Sequence, residues 1–342
     1  MERCLELASL GLGTTYPNPL VGSVIVHNDK IIGEGWHRKA GEPHAEVNAI
    51  NSVADKSLLK EATIYVSLEP CSHFGKTPPC ADLIVKHKIP KVVVGSIDPN
   101  PRVSGSGIQK LKDAGIAVTT GILKEQCDWI NRRFFSSKKL HRPYIILKWA
   151  QTADGYIAPK YKDKKEPVWI TGQESRQLVH KWRSEESAIL IGVQTALSDD
   201  PSLTTRSWPG ESPVRIVLDP NGRLTDELKV LDGSVRTLIF SSDSSNNKSE
   251  NLHYLNTERK EISIEKLLNS IYEENLQSVI IEGGANTLSR FIDSGLWDEA
   301  RVFTGSSEFG EGIVAPELPL DPKQTKMIHK DRLDFYFNTA LL

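Results

Sequence analysis

Four side chains in one short stretch have the chemistry to hold a metal ion and move a proton. His44 and Glu46 stand two positions apart, and Cys71 and Cys80 each follow a proline. An imidazole and two thiolates are a common ligand set for catalytic zinc, which keeps its fourth position for water. A carboxylate beside that water can act as general base and then as general acid. These residue types and their spacing therefore predict a zinc-dependent hydrolytic site.

The sequence before and after the histidine predicts how it is positioned. Pro43 suits the first turn of a helix, which we predict over Ala45–Ser57. Residues two apart do not share a helix face, so His44 and Glu46 reach one metal ion only off the N-terminal end of this helix. The positive end of the helix dipole favours anionic groups at that point.

The two cysteines are spaced more widely than in the zinc-deaminase signature H-x-E…P-C-x-x-C. Here the second half reads P-C-x₈-C, from Cys71 to Cys80. Cys71 follows a strand predicted over Thr63–Leu68, and Cys80 precedes a helix predicted over Ala81–His87. Residues Ser72–Pro79 must then leave the site as a loop. A second helix N-terminus would point at the same spot and lower the pKa of the thiols.

Composition and charge limit the class of protein. The chain has 342 residues, 39% hydrophobic and 25% charged, with a net charge of −2. These values exclude a disordered chain, give no basic footprint for nucleic acid, and make two domains the expectation. No apolar run approaches the ~18 residues that span a bilayer, and no signal peptide is visible, so we expect a cytoplasmic protein.

A structural zinc, with His73 or Cys127 as fourth ligand, is an alternative to the catalytic zinc.

Strands alternating with helices predict a two-domain α/β protein, with domains over 1–143 and 144–342. In the first domain, an initial hairpin turns at Asn28-Asp29 and a mainly parallel sheet follows. Its predicted helices cover 2–12, 45–57, 81–87 and 106–115, its strands 23–26, 30–36, 63–68, 91–95 and 116–120, and a charged helix and connection 125–143. In the second domain, predicted helices cover 175–183, 264–273 and 286–294, strands 144–148, 188–193, 214–218, 237–241, 278–281, 300–303 and 335–341, and a surface loop 241–251.

The motifs of the first domain resemble a known family. His44-Ala45-Glu46 and Pro70–Cys80 are similar to the deaminase half of the bifunctional riboflavin-biosynthesis enzymes. In these, diaminohydroxyphosphoribosylaminopyrimidine deaminase is fused to 5-amino-6-(5-phosphoribosylamino)uracil reductase. Pro17–Gly22, Gly33–His37 and Asp98–Pro101 match the same family, as does the long loop between the cysteines. The resemblance implies a cytidine-deaminase-like α/β/α layer.

The resemblance also implies roles for residues of the first site. One Zn²⁺ per chain would be held by His44, Cys71 and Cys80. Glu46 would be the proton shuttle. Asn18 would bind the pyrimidine edge, and Lys76 would meet the substrate phosphate, which needs a cation.

A second candidate site lies in the C-terminal half. No G-x-G-x-x-G follows a strand there, but the predicted strand that ends at Ile281 is followed by Glu282 and two glycines before a predicted helix. Paired glycines let backbone N–H groups approach a diphosphate at a helix N-terminus, although such a pair also fits a tight turn. Lys148–Gly155, Trp169–Gly172 and the stretch 192–206 resemble the reductase half of the same family, whose fold is similar to dihydrofolate reductase.

This second resemblance implies an NADPH site and a substrate site. The implied cofactor contacts are Ala150, Trp169, Thr195, Asp199, Gly283, Gly284, Ala285, Asn286, Thr287, Leu288 and Ser289. The implied substrate contacts are Pro167, Arg183, Leu203, Arg206 and Glu282. The guanidinium groups of Arg183 and Arg206 suit a ribose phosphate. Lys148 is a candidate to assist at the sugar carbon that accepts hydride.

The resemblance covers nearly the whole chain and implies two successive reactions. Hydrolytic deamination of 2,5-diamino-6-(ribosylamino)-4(3H)-pyrimidinone 5'-phosphate releases ammonia, and NADPH then reduces the ribosyl group of 5-amino-6-(5-phosphoribosylamino)uracil. Ala153, Tyr156 and a basic insert over Lys160–Lys165 depart from the family pattern, so a deaminase with an impaired reductase is one alternative. A nucleic-acid or nucleoside zinc deaminase is another. We expect small-molecule partners, no nucleic acid or membrane, and a homo-oligomer, as a dimer or tetramer.

Overall fold

The chain folds into two units, Met1–Arg142 and Pro143–Leu342. The structure, a computed structural model, describes residues 1–74, 78–100, 104–242, 250–257 and 262–338. Across these ranges, no helix combines the length and the apolar composition needed to cross a bilayer.

The first unit is a mixed sheet with helices. Its helices are α1 (Glu2–Ser9), α2 (Ala45–Ser52), α3 (Cys80–Lys86), α4 (Ser106–Asp113), α5 (Lys124–Ile130) and α6 (Arg132–Leu140). Its strands are β1 (Gly22–His27), β2 (Lys30–Trp36), β3 (Thr63–Leu68), β4 (Lys91–Ser96) and β5 (Ala117–Thr120). Within the described residues, the strand order is β2-β1-β3-β4-β5. β1 is antiparallel to β2 and β3, and β3, β4 and β5 are parallel, as predicted.

The hairpin and the glycines of β2 bring α2 close to the sheet. Asn28 and Asp29 both have positive φ, 48° and 57°, as a two-residue hairpin turn requires. A Cβ at Gly35 would lie 2.3 Å from the backbone nitrogen of Ala49 in α2. This contact therefore requires glycine, and it fixes the helix that begins beside His44.

α1 ends at Ser9 instead of residue 12, and two other parts of the first unit differ more from the prediction. α2 ends at Ser52 instead of Ser57, because Lys56 Nζ donates to the carbonyls of Asn51 and Val53 at 2.9 and 2.6 Å, and residues 56–61 form a separate 3₁₀ helix. The charged stretch over 125–143 is two helices, not one. It breaks at Asn131, whose side chain bonds to the backbone N–H and carbonyl of Leu20.

The second unit is built around a large, mostly parallel sheet. Its helices are α7 (Gln173–Glu185), α8 (Val193–Asp199), α9 (Ile264–Glu273) and α10 (Ala285–Ser294). Its strands are β6 (Tyr144–Gln151), β7 (Tyr156–Pro159), β8 (Ala188–Gly192), β9 (Val214–Leu218), β10 (Thr237–Ser241), β11 (Leu252–Asn256), β12 (Ser278–Ile281), β13 (Glu299–Thr304), β14 (Gly312–Val314), β15 (Gln324–Ile328) and β16 (Asp331–Phe337). In the described part of the unit, the main sheet runs β11-β10-β9-β8-β12-β6-β13-β16-β15, parallel up to β13 and antiparallel beyond it.

Both faces of this sheet are covered. Ile145 and Leu147 of β6 belong to one buried cluster, whereas Tyr144 and Ile146 belong to another. A parallel sheet buried on two sides gives continuous apolar runs, which is why β6, β8 and β12 could be predicted. The carboxyl ends of these strands are where ligands bind in such sheets.

Several elements of the second unit were not predicted. β7 and β14 are short and pair with each other, and the edge strand β15 has four exposed residues at Gln324–Met327 without apolar alternation. α8 and β11 also lacked a clear pattern. The last strand lies at 331–337 instead of 335–341, and residues 339–341 are outside the described ranges. The predicted loop 241–251 includes residues 243–249, which are also outside them.

Candidate active sites

Three side chains that can bind a metal ion meet where α2 and α3 begin. His44 is the N-cap residue of α2, and Cys80 is the first residue of α3. His44 Nδ1 lies 3.6 Å from Cys71 Sγ and 3.3 Å from Cys80 Sγ. A tetrahedral zinc ion separates its nitrogen and sulfur ligands by about 3.5 Å, so the trio fits zinc. In the described chain, neither His73 nor Cys127 joins this cluster, which has the three ligands of a catalytic site.

Cys71 is held by the start of α3. The backbone N–H of Cys80 donates to Cys71 Sγ at 3.3 Å, and that of Ala81 donates to the Cys71 carbonyl at 3.1 Å. A hydrogen bond from the Cys80 thiol lowers the pKa of Cys71, and His44 adds to this effect. The same thiol–thiol bond and burial raise the pKa of Cys80. One thiolate therefore forms readily within the trio.

Glu46 is a buried carboxyl beside the trio. It lies in the first turn of α2 and is 3% exposed. Burial raises the pKa of Glu46 to about 7, and the negative charge of Cys71 adds to the rise. A carboxyl whose pKa lies near neutrality can both take a proton and return it.

Asn18 is positioned by a histidine whose role the sequence did not reveal. Asn18 Nδ2 lies 3.1 Å from His37 Nε2, and His37 Nδ1 lies 3.3 Å from the carbonyl of Pro43. Burial lowers the pKa of His37, so the neutral ring donates from Nδ1 to the carbonyl and accepts at Nε2 from the amide. The His37 and His44 rings are 5.4 Å apart. Asn18 is therefore linked to His44 of the trio through His37, whereas Lys76 lies outside the described residues.

The second candidate site contains a mostly buried triplet of charges. Glu282 follows β12, and its Oε2 accepts from Arg183 Nη2 at 2.9 Å, while Lys148 Nζ lies 3.8 Å from Oε1. Burial opposes ionisation of Glu282, yet Arg183 and Lys148 hold its pKa at about 2. Burial lowers the pKa of Lys148, and Glu282 opposes that shift. Arg183 and Glu282, predicted separately as substrate contacts, are thus one ion pair with Lys148 beside it.

Arg206 joins this triplet through a shared loop residue. Arg183 Nη1 donates to the Thr204 carbonyl at 3.3 Å, and Arg206 Nη1 donates to Thr204 Oγ1 at 3.1 Å. The Arg206 N–H donates to His180 Nδ1 at 3.2 Å. Burial lowers the pKa of His180 to about 4, with help from both guanidinium groups. His180 therefore acts as a neutral acceptor. The sequence could have indicated His180, because it lies three residues before Arg183 and so on the same helix face.

A glycine loop joins the starts of α8 and α10. The peptide bond Gly283-Gly284 is cis, Gly283 has φ +114°, and its carbonyl accepts from the N–H of Gly192 at 2.9 Å. A Cβ at Gly192 would lie 2.6 Å from Thr287 Oγ1, and one at Gly284 would lie 3.2 Å from Thr195 Oγ1. The structure thus brings together four of the predicted cofactor contacts. Ala285, Asn286, Thr287, Leu288 and Ser289 form the first turns of α10, with the Leu288 side chain fully buried.

The remaining predicted contacts are more scattered. Ala150 on β6 is half-buried and pairs with Phe303 of β13, and Leu203 is buried with φ +54°. Trp169 is 59% exposed, and its ring lies 4.6 Å from the guanidinium carbon of Arg176. Asp199 ends α8 and forms an ion pair with Lys162 of the basic insert. Pro167 lies half-buried between that insert and Trp169.

The turn that departs from the family pattern is well bonded. The N–H of Tyr156 donates to Thr152 Oγ1 at 2.9 Å, and that of Ala153 donates to the Ser307 carbonyl at 2.8 Å. Asp154 accepts from the backbone of Phe309 and Gly310. The backbone bonds of this turn are therefore formed with Ala153 and Tyr156 in place.

Together, these features define a class of protein: a zinc-type deaminase unit followed by a sheet unit with a glycine loop at the start of a helix. Comparison with known families agrees. Residues 1–96 match the cytidine and deoxycytidylate deaminase zinc-binding region, and residues 143–331 match the RibD C-terminal domain. The chain is 42% identical over 322 residues to the riboflavin biosynthesis protein RibD of Aquifex aeolicus (strain VF5), covering 93% of this chain and 89% of that protein. It is 35% identical to RibD of Escherichia coli (strain K12), covering 91% and 88%.

A solved structure gives the same result. The diaminohydroxyphosphoribosylaminopyrimidine deaminase/5-amino-6-(5-phosphoribosylamino)uracil reductase of Thermotoga maritima superposes with a TM-score of 0.88 at 37% identity, covering 98% of this chain and 96% of that one. The chain therefore belongs to the RibD family of riboflavin biosynthesis proteins. It is a bifunctional enzyme with a zinc-dependent deaminase and an NADPH-dependent reductase. The predicted fold class, cofactors and pair of activities are confirmed.

Proposed function

We propose that residues 1–143 carry out the first reaction and residues 144–342 the second. The first unit would deaminate 2,5-diamino-6-(ribosylamino)-4(3H)-pyrimidinone 5'-phosphate, and the second would reduce 5-amino-6-(5-phosphoribosylamino)uracil to the ribityl product. The observation that carries the first assignment is the His44, Cys71 and Cys80 trio with buried Glu46 beside it. The names of the related proteins support the substrates.

In the first site, the residues of this chain bind the substrate and move protons. His44, Cys71 and Cys80 would hold zinc, which would supply Lewis-acid activation of the attacking water. Glu46 takes a proton from that water as its oxygen bonds to the ring carbon that bears the amine, and gives this proton to a ring nitrogen. Glu46 then takes the second proton from the added hydroxyl and passes it to the amine, so that the C–N bond breaks and ammonia leaves. Asn18, fixed by His37, holds the pyrimidine edge. Lys76 is our candidate for the substrate phosphate.

In the second site, the chain orients cofactor and substrate. NADPH supplies the hydride, and the loop at Gly283-Gly284 with the start of α10 suits its diphosphate. Further cofactor contacts would be Ala150, Trp169, Thr195 and Asp199, and further substrate contacts Pro167 and Leu203. Arg183 and Arg206, held together through Thr204, suit the ribose phosphate, whose negative charge would relieve their mutual repulsion. Lys148, beside Glu282, would assist at the sugar carbon that accepts the hydride.

We also propose that the enzyme is cytoplasmic and forms a homo-oligomer, a dimer or tetramer, without nucleic-acid or membrane partners. The net charge of −2 supports the absence of a nucleic-acid partner. Light scattering during gel filtration tests the oligomeric state.

The proposed metal site predicts a defined zinc content. We expect the purified chain to carry one zinc per chain by elemental analysis, and Cys71→Ala to lose most of it, because two ligands hold zinc poorly. Cys127→Ala is the matched control, since Cys127 is a buried thiol outside the trio. Equal zinc in both variants, or none in the unaltered chain, would disprove the site.

A further inference from the structure

Glu69 is a buried carboxylate two residues before Cys71. It follows β3 and is 5% exposed, and its own N–H donates to the carbonyl of Ser96 at 2.9 Å. Its two carboxylate oxygens accept from four backbone N–H groups. Oε1 accepts from Gly107 at 2.9 Å and Ile108 at 3.3 Å, and Oε2 accepts from Gly105 at 2.9 Å and Asp98 at 3.3 Å.

These bonds make Glu69 the cap of helix α4. The N-cap residue of α4 is Gly105, with φ +77°, which has no side chain to satisfy the N–H groups of the first turn. Glu69 satisfies three of them from a distant point in the chain, and its charge lies at the positive end of the helix dipole. The bond from Asp98 also ties down the loop that leaves β4.

Helix α4 also holds the chain on both sides of Cys71. A Cβ at Gly107 would lie 2.0 Å from the carbonyl oxygen of Pro70, so α4 approaches Pro70 as closely as glycine allows. Ser72 Oγ lies 2.6 Å from Ser106 Oγ at the start of α4. Cys71 itself is bonded to the start of α3. The segment that carries Cys71 is therefore fastened to the starts of both α3 and α4, and Glu69 supplies the carboxylate that bonds to the backbone N–H groups at the start of α4.

We infer that Glu69 is a positioning residue that sets the zinc affinity of the first site by holding Pro70–Ser72 against α4. The inference rests on the proposed zinc site. A carboxylate has acceptors alone, so it can take all four N–H bonds, whereas an amide turns an NH₂ group toward two of them. Residues that orient metal ligands without touching the metal commonly change affinity about 10–100-fold when replaced.

The test is zinc competition against a chromophoric chelator with Glu69→Gln in the full-length protein. We expect the zinc dissociation constant to rise about 10-fold or more, with one zinc still bound at saturation. Deamination should recover at saturating zinc with its kcat largely restored, because Glu69 touches no reacting atom. Glu69→Asp keeps the charge but is one methylene shorter, so its zinc affinity should lie between those of the unaltered chain and Glu69→Gln. If Glu69→Gln does not fold, Glu69→Asp takes its place in the test.

Asp331→Asn is the matched control. Asp331 is likewise a buried carboxylate at the start of a helix, α7 in the second unit, where it accepts from the N–H of Gly172 at 2.8 Å and from Ser175 Oγ at 2.6 Å. Its replacement should leave zinc affinity unchanged. The inference is overturned if both Glu69 variants bind zinc as tightly as the unaltered chain, even where their free energy of unfolding is lower. Failure of the unaltered chain to bind zinc would instead contradict the proposed site itself.

Discussion

Replacing Glu46 with Gln is expected to reduce deamination about 10²–10⁴-fold, the usual contribution of a general acid–base group. Gln has nearly the same shape and accepts hydrogen bonds, but it cannot take or release a proton. Because burial and the nearby thiolate raise the pKa of Glu46 to about 7, the native carboxyl is poised to do both near neutral pH. Ammonia release from the diaminopyrimidine substrate measures the effect.

The Glu46→Gln variant should keep its zinc and its reductase activity. Zinc retention separates loss of the proton shuttle from loss of the metal. Glu34→Gln is the matched control, because Glu34 lies in the same unit but pairs with Arg3 on the surface, so its deamination should equal that of the unaltered chain. Full deamination by Glu46→Gln would remove Glu46 from the mechanism.

Replacing Glu282 with Gln is expected to lower the free energy of unfolding of the second unit by about 3 kcal/mol, because it leaves two buried cations without their shared counter-charge. The Lys148 and Arg183 side chains are 15% and 11% exposed. The pKa of Lys148 should also fall, since burial lowers it and Glu282 is the group that opposes the shift. Reduction should be strongly impaired while deamination persists. Amide exchange of β6 and β12, followed by mass spectrometry, reports the stability of this unit.

Glu311→Gln is the control for this prediction. Glu311 pairs with Lys160 at 2.6 Å, but its side chain is 72% exposed, and such pairs contribute little. We expect a change below about 1 kcal/mol. If Glu282→Gln exchanged as slowly as this control and still oxidised NADPH with the deaminated substrate, the buried triplet would have neither proposed role.

The sequence was sufficient for features that depend on local pattern. The histidine, glutamate and two cysteines carry the zinc site in their types and spacing, and apolar runs predicted the buried strands of both sheets. The end of α2 was not predictable in this way, because it depends on Lys56 binding the carbonyls of the preceding turn. Short pairs such as β7 with β14 gain their stability from a partner far along the chain, which no local pattern reveals.

Contacts between residues that are far apart in the chain could not be predicted from the sequence either. Arg183 and Glu282 are 99 residues apart, so their types alone did not show an ion pair. Glu69 is 36 residues from Gly105, and it could be noticed only as a carboxylate before Pro70. His37 ends the motif Gly33–His37, but its bond to Asn18 depends on how β2 and the loop before β1 fold together. In each case tertiary structure decides which polar groups meet.

The most direct test of the central claim, that one chain performs two successive reactions, is a stoichiometry. The purified protein is given the diaminopyrimidine ribosyl phosphate and excess NADPH, and ammonia release and NADPH oxidation are followed together. We expect one NADPH to be oxidised for each ammonia released, and NADPH oxidation by Glu46→Gln on the same substrate to fall by the same factor as its ammonia release. Ammonia release without NADPH oxidation, even when the deaminated substrate is supplied directly, would contradict the central claim.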